Sequence, residues 1–119
     1  MSFIMFEDMV AALAKPGEDI IASLTPEKTH MLHMAVGISG ESGELLDAIK
    51  KAVIYNKPLD RENVIEELGD LEFYMQGLRA GLGITRNETI EANVAKLGKR
   101  YREGYSDRAA QDRADKVAA

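Results

Sequence analysis

The sequence contains no cysteine and no tryptophan, and only three of its residues are proline. Without cysteine the chain has no disulfide framework, no thiolate zinc site and no cysteine nucleophile. No apolar run approaches the roughly 20 residues of a membrane span, and the first residues lack the basic and apolar regions of a secretion signal. We therefore expect a cytoplasmic protein with no membrane partner.

Basic residues are outnumbered by acidic ones. Lys and Arg together number 15 against 20 Asp and Glu, which gives a formal net charge of -5. General nucleic-acid binding relies on clustered Lys and Arg, so this balance argues against a nucleic-acid partner. A chain of 119 residues that is 45% hydrophobic is long enough to bury a core, and we expect a single domain over residues 1–119.

Apolar residues recur at helical spacing along most of the chain, whereas the alternation typical of strands is absent. This pattern predicts an all-α fold, a helical bundle. An N-terminal helix over residues 2–14 precedes a motif-bearing core of about residues 26–105. The tail, residues 106–119, is rich in alanine and charge, and we expect it to form a weak helix or to fray.

Capping signals divide the core into three long helices. Thr25 and Pro26 suit the start of a helix that runs to about Tyr55. Asp60 suits the cap of the next, which Gly83 ends. Residues 85–88 fit a capping box, and the helix that follows should stop near residues 103–107. The first two segments, 26–55 and 61–82, are predicted to pair as an antiparallel hairpin.

Two acidic pairs stand in or beside the apolar stripes of these two helices. At about 100° per residue, Glu41 falls inside the stripe of its helix and Glu44 lies about 60° to one side. Glu67 and Asp70 have the same relation to the stripe of the second helix. In an antiparallel hairpin, the two pairs can face one another at one site.

Four ionised carboxylates at a partly buried site repel one another and lose hydration, and a divalent cation can compensate for both. Oxygen ligands without His or Cys favour Mg²⁺, with Mn²⁺ as a substitute. The alternative is that these side chains form an ordinary solvated helix face, as Glu-x-x-Glu commonly does in acidic proteins. The matched phase of the two pairs favours the metal site.

Gly37, Gly40 and Gly43 recur every third residue within the first long helix, where each costs up to about 1 kcal/mol relative to alanine. Close packing of another helix would explain this cost. A single hairpin also cannot cover both of its own sides, and the Met-rich stripe near these glycines offers a surface for a partner helix. We therefore expect a homodimer or homotetramer.

Basic and aromatic side chains near the acidic pairs are candidate substrate contacts. Asn93, Lys96 and Arg100 share one side of the last core helix and can reach the same cleft, although a helix C-terminus favours basic residues in any protein. Lys51 can meet a phosphate, but an exposed lysine is the simpler interpretation. Tyr74 can stack on a base or sugar, although an aromatic residue on an apolar stripe is usually core.

Three segments together, "GESGELLDAIKK", "EELGDLEFYM" and "ANVAKLGKRYREGY", resemble the MazG-type all-α nucleoside triphosphate pyrophosphohydrolases. The signature of that family is Glu-x-x-Glu followed by Glu-x-x-Asp, and here it matches Glu41, Glu44, Glu67 and Asp70 over a resemblance of roughly residues 30–105. The resemblance implies Mg²⁺-dependent attack of water on a nucleoside triphosphate, with release of the monophosphate and pyrophosphate. It also implies an oligomer of helical hairpins.

The resemblance favours substrate contact for Asn93 and Lys96, but the sequence does not identify the residues that bind the base. Two other functions stay open. A related pyrophosphohydrolase acting on phosphoribosyl-ATP would carry a similar site. A non-catalytic, acidic helical interaction module would instead be indifferent to Mg²⁺ and would tolerate substitution of Glu41 and Glu67.

Overall fold

Six α-helices and one short 3₁₀ turn follow one another along residues 5–116, the part of the chain that this computed structural model describes. They are α1 (Phe6–Leu13), α2 (Gly17–Ser23), α3 (Pro26–Val53), α4 (Arg61–Leu82), α5 (Arg86–Arg100), α6 (Asp107–Asp112) and the 3₁₀ turn Ala114–Lys116. No strand occurs within these residues. The all-α prediction is confirmed.

The ends of the long helices follow the local capping chemistry. The backbone N–H of Lys28 donates to the Thr25 hydroxyl at 3.1 Å, so that Thr25 begins α3 as expected. Asp60 caps α4 in the same way, and Gly83 ends that helix with a left-handed φ of 68°. The predicted capping box before α5 is present, with reciprocal bonds between Thr85 and Glu88.

Four boundaries differ from expectation or extend it. The predicted helix over residues 2–14 is present as α1, while its residues 2–4 lie outside the described residues. The segment that becomes α2 is also helical, and the acidic residues of its first turn suit the positive end of the helix dipole. Helix α5 stops at Arg100, before the predicted residues 103–107. The predicted tail forms α6 and the 3₁₀ turn as far as Lys116, and its residues 117–119 lie outside the described residues.

The hairpin of α3 and α4 is antiparallel, and glycines let the two helices approach closely. Gly37 of α3 lies against the ring of Tyr74, whereas Gly77 of α4 lies against the sulfur of Met34. A Cβ atom at either glycine would collide with its neighbour. A third contact lies nearer the start of α3, where His30 Nε2 is 2.9 Å from the carbonyl oxygen of Gly77. The predicted hairpin is thereby confirmed.

Only one of the three regularly spaced glycines of α3 has the close helix neighbour that the sequence predicts. Gly37 packs on α4, but a Cβ atom at Gly40 or Gly43 would meet nothing within 4 Å in the described structure. These two glycines lie farther along the helix and face open space. The interpretation of close packing is therefore wrong for Gly40 and Gly43 within one chain.

The single chain is open rather than closed around a core. Its radius of gyration is 20.2 Å, whereas a compact domain of this length has about 13.5 Å. Met34 and Ala48 are the only buried hydrophobic residues within 5–116, and many large apolar side chains of the other helices are exposed. No described helix combines the length and hydropathy needed to cross a membrane. Many apolar side chains of residues 5–116 thus have no partner within that range.

Candidate active site

The close α3–α4 seam continues into a cluster of carboxylates. One turn beyond the contact between Gly37 and Tyr74, Glu41 of α3 meets Glu67 and Asp70 of α4. One carboxylate oxygen from each of the three residues lies within 4.8 Å of the others. Glu67 is buried, with 8% of its surface exposed, and Glu41 is half-buried. The hairpin therefore brings three of the four predicted acidic residues together.

Glu44 lies at the edge of this cluster rather than inside it. It is exposed and does not belong to the group of three closely spaced carboxylates. Its side chain nevertheless interacts with Glu41 and Glu67, and it raises the pKa of both. The position fits the sequence geometry, which placed Glu44 about 60° from the centre of the apolar stripe.

The electrostatics of the cluster favour protonation when no cation is present. Contact with the Glu41 carboxyl, burial and the neighbouring Glu44 together raise the pKa of Glu67 to about 7. For Glu41, contact with Glu67 lowers the pKa, but burial and Glu44 outweigh that effect, so the pKa lies above its usual range. Both shifts have the physical cause predicted for carboxylates that share a partly buried site.

Two oxygens of this cluster are buried without a hydrogen-bond partner in the described structure. They are Glu41 Oε2 and Glu67 Oε2, and they belong to side chains on opposite helices. A buried acceptor without a donor is costly, and a native protein usually satisfies it. Because all the nearby ligand groups are carboxylates, a hard divalent cation fits this site better than zinc or another soft metal.

The other predicted site residues are distributed over two further places. Asn93 and Lys96 line one hollow of about 360 Å³ on α5. Arg100, one turn later, forms an ion pair of 2.8 Å with Asp115. Within residues 5–116, the main packing partners of α5 are α6 and the 3₁₀ turn rather than the hairpin. A single chain therefore does not assemble the α5 residues with the acidic cluster.

Two predicted substrate contacts lie on the hairpin itself. Lys51 is exposed and forms an ion pair of 3.0 Å with Asp47, one turn earlier on α3. Tyr74 fills the space above Gly37, and its ring meets His33 edge-on at 6.2 Å between centroids. Tyr74 thus has a packing role in the seam, one turn from Asp70.

Sequence reasoning did not identify a cavity of about 670 Å³ at the end of α5. It lies between the "KRYREGY" segment and the tail, and Tyr101, Arg102 and Tyr105 contribute to its walls. The available signal in the sequence is Gly104 between two tyrosines, which indicates a turn after the helix.

An antiparallel helical hairpin with a cross-helix cluster of carboxylates places this chain among all-α proteins whose oxygen donor set suits a hard divalent cation. Residues 29–104 match the family described as the MazG nucleotide pyrophosphohydrolase domain, and the chain belongs to that family. It is accordingly a nucleotide pyrophosphohydrolase, a hydrolase that acts on phosphoric anhydride bonds. Comparisons with the curated proteins and with the solved structures gave no match.

Proposed function

We propose that this chain is a Mg²⁺-dependent enzyme that converts a nucleoside triphosphate and water into the monophosphate and pyrophosphate. The observation that carries the proposal is the pair of buried, unpartnered oxygens of Glu41 and Glu67 within the carboxylate cluster. Family membership supplies the reaction class, and the donor set supports the metal. Mn²⁺ is the expected substitute because it takes the same oxygen ligands.

Glu41, Glu67 and Asp70 are the proposed metal-holding residues, with Glu44 as the fourth carboxylate of the site. When bound, Mg²⁺ would offset the carboxylate charges, polarise phosphate oxygens and lower the pKa of an attacking water. A carboxylate of the cluster accepts a hydrogen bond from that water and takes its proton. The position of the carboxylates on two rigid helices keeps this geometry fixed.

Attack at the α-phosphorus expels pyrophosphate, and the basic residues of α5 match the charge of that leaving group. Lys96 and Arg100 are the proposed donors to the phosphate oxygens, because charge builds there in the transition state. Asn93 shares the hollow of Lys96 and can donate to the same ligand. Lys51 and Tyr74, on the hairpin, are proposed as further substrate contacts.

A second copy of the chain is the proposed means of completing this site. The hairpin holds the carboxylates, whereas the α5 residues lie on a helix that packs chiefly on the C-terminal segment of its own chain. The large radius of gyration and the exposed apolar side chains of α3, α4 and α5 support a homodimer or homotetramer. Light scattering should give a mass at least twice 13.1 kDa, and a monomer at micromolar concentration would contradict this part of the proposal.

The chain is further proposed to act as one domain, with its motif-bearing core at about residues 26–105, and to act in the cytoplasm. Neither point affects the test of the reaction, which can be made on the whole purified chain.

The decisive experiment measures pyrophosphate release from a panel of ribonucleoside and deoxyribonucleoside triphosphates, together with phosphoribosyl-ATP. We expect turnover of at least one nucleoside triphosphate with Mg²⁺ and its loss in EDTA. Products should be the monophosphate and pyrophosphate in equal amounts. Turnover of phosphoribosyl-ATP alone would show that the chain is the related phosphoribosyl-ATP pyrophosphohydrolase instead. Turnover that persists in EDTA would contradict the role of the metal.

A further inference from the structure

The cavity at the end of α5 has the volume of a small-molecule site and is open to solvent on one side. Its volume is about 670 Å³, within the range of about 300–1,000 Å³ that ligand pockets occupy. One wall is formed by residues 99–105, and the opposite wall comes from the C-terminal segment, which we define as residues 106–116. The two sides are joined by the ion pair of Arg100 and Asp115, whose side chains are 16% and 7% exposed.

A tight turn after α5 places two tyrosine rings beside each other in this cavity. Gly104 has a φ of 88°, which favours glycine, and its N–H donates to the carbonyl oxygen of Tyr101 at 3.1 Å. The turn brings Tyr105 back so that its ring centroid lies 5.6 Å from that of Tyr101. The Tyr105 hydroxyl donates to Asp107 at 2.7 Å. The position of the Tyr105 ring is therefore fixed from two sides.

Although its position is fixed, Tyr105 is 73% exposed. An exposed aromatic face held in place is suited to stack on a planar ring, because the ligand does not have to order the side chain on binding. Lys99 and Arg102 line the same cavity, and neither forms an ion pair with another residue of the described range 5–116. Glu103 offers an acceptor for ring N–H groups. An anionic molecule with a planar, hydrogen-bonding ring matches this lining.

We propose that this cavity binds the base and sugar of the nucleotide, with Tyr105 as the stacking surface and Arg102 beside it. The identity of the ligand rests on the proposed function, in which Lys96 and Arg100 contact the phosphates. Lys96 precedes Tyr101 by about 7.5 Å along α5, whereas Arg100 lies directly before Tyr101 in the wall of the cavity. A nucleotide that lies along α5 with its phosphates at Lys96 thus extends its base towards the tyrosines. The C-terminal segment becomes part of substrate recognition.

The test measures binding without catalysis, using nucleoside monophosphates in EDTA and ligand-observed NMR on the whole chain. At least one of AMP, GMP, CMP and UMP should bind, with magnetisation transfer to its base protons. Tyr105→Ala should weaken that binding about tenfold, since stacking on an aromatic side chain has an effect of this order. Tyr105→Phe, which keeps the ring, should bind within about threefold of the unmodified chain.

Two controls separate the cavity from other effects. Tyr55→Ala removes a tyrosine that is 56% exposed at the end of the hairpin, and it should leave monophosphate binding unchanged. Inorganic pyrophosphate, which has no base, should bind equally to the unmodified chain and to Tyr105→Ala. Absence of binding by all four monophosphates, or equal binding by Tyr105→Ala, would overturn the proposal.

The binding result is independent of the activity screen. Monophosphate binding that depends on Tyr105 in a chain without pyrophosphohydrolase turnover would support the cavity and contradict the proposed reaction. If the chain turns over nucleotides and Tyr105→Ala changes neither the KM nor the choice of base, the proposed reaction is supported and the role of the cavity is contradicted.

Discussion

The α3–α4 hairpin and the α5 region differ in how much of their apolar surface is packed within the chain. In the hairpin, glycines and large side chains alternate across the seam, so two helices of one chain reach each other and bury Met34, Ala48 and Glu67. Helix α5 has exposed Ile90, Val94 and Leu97 along its length and packs on the short C-terminal segment. The hairpin thus brings its carboxylates together by itself, whereas apolar side chains of α5 have no partner within the described residues.

The two regions correspond to the two proposed roles, with catalysis in the hairpin and substrate recognition near α5. The carboxylates belong to the rigid, self-contained region, where small displacements would be costly to metal binding. The residues proposed to contact phosphate and base belong to the open region, which packs chiefly on the C-terminal segment rather than on the hairpin. Changes in the hairpin should therefore affect turnover and folding, while changes near α5 should affect substrate affinity and local order.

The largest expected effect comes from Glu67→Gln. This substitution preserves the volume of the side chain but removes one charge from the carboxylate cluster. Removal of a residue that only hydrogen-bonds to a metal ligand lowers metal affinity or activity by about 10–100-fold. For removal of a ligand charge itself, we expect turnover to fall at least about 100-fold. Circular dichroism should remain helical. Pyrophosphate release at saturating Mg²⁺ is the measurement.

Glu66→Gln is the matched control because Glu66 is the exposed neighbour of Glu67 on α4. It changes the net charge equally and should keep nearly full activity. Full Mg²⁺-dependent turnover by both Glu41→Gln and Glu67→Gln would show that the cluster is not the catalytic site. Catalysis could then no longer be assigned to the hairpin.

A second comparison uses one glycine from each region. In Gly37→Ala, the added methyl group collides with the ring of Tyr74, and we expect a loss of about 1–3 kcal/mol in the free energy of unfolding. In Gly98→Ala, on α5, the methyl group meets nothing within 4 Å, so helix propensity should stabilise the chain by up to about 1 kcal/mol. Urea unfolding measures both. Destabilisation by Gly98→Ala would mean that the proposed second copy packs closely against α5 at this position.

Local rules in the sequence were enough to predict the helices of the core. Thr25, Asp60, Gly83 and the Thr85 capping box act within a few residues, and the structure places helix ends at each of them. The acidic cluster was also predictable, because helical periodicity fixes the phase of Glu41 and Glu67 relative to the apolar stripe.

What the sequence could not reveal depends on tertiary contacts. Gly37, Gly40 and Gly43 look alike along the chain, yet only Gly37 lies opposite a large side chain of α4. The cavity at the end of α5 likewise arises because Gly104 reverses the chain and Asp115 returns to Arg100. Helical periodicity predicts neither which side chain packs against a glycine nor where the C-terminal segment folds back.

The hairpin should also show a dependence of stability on pH that the α5 region lacks. Because the folded-state pKa of Glu67 is about 7, above its ordinary value of 4.5, the metal-free folded chain holds more protons than the unfolded chain between these values. The melting temperature should therefore fall as pH rises from 5 to 8, and the raised pKa of Glu41 acts in the same direction.

Mg²⁺ should restore the melting temperature at pH 8 more than at pH 5, since it compensates only for ionised carboxylates. Glu67→Gln should flatten the pH dependence, and Glu66→Gln should retain it. Differential scanning calorimetry in EDTA, with and without excess Mg²⁺, makes the comparison. A melting temperature that rises with pH in the metal-free chain would contradict the electrostatics of the cluster.

The smallest and most local effect is expected from Asp115→Asn. Asp115 accepts a hydrogen bond from Arg100 Nε at 2.8 Å, and the guanidinium holds the pKa of Asp115 below its usual value. Removal of the charge should release the C-terminal segment while the hairpin keeps its melting temperature. Hydrogen exchange followed by mass spectrometry should then show faster exchange in residues 106–116 only. Asp112→Asn is the control, because its ion pair with Arg108 is exposed and contributes little. Faster exchange within α3 or α4 would show that the two regions are coupled and that the open α5 region supports the hairpin.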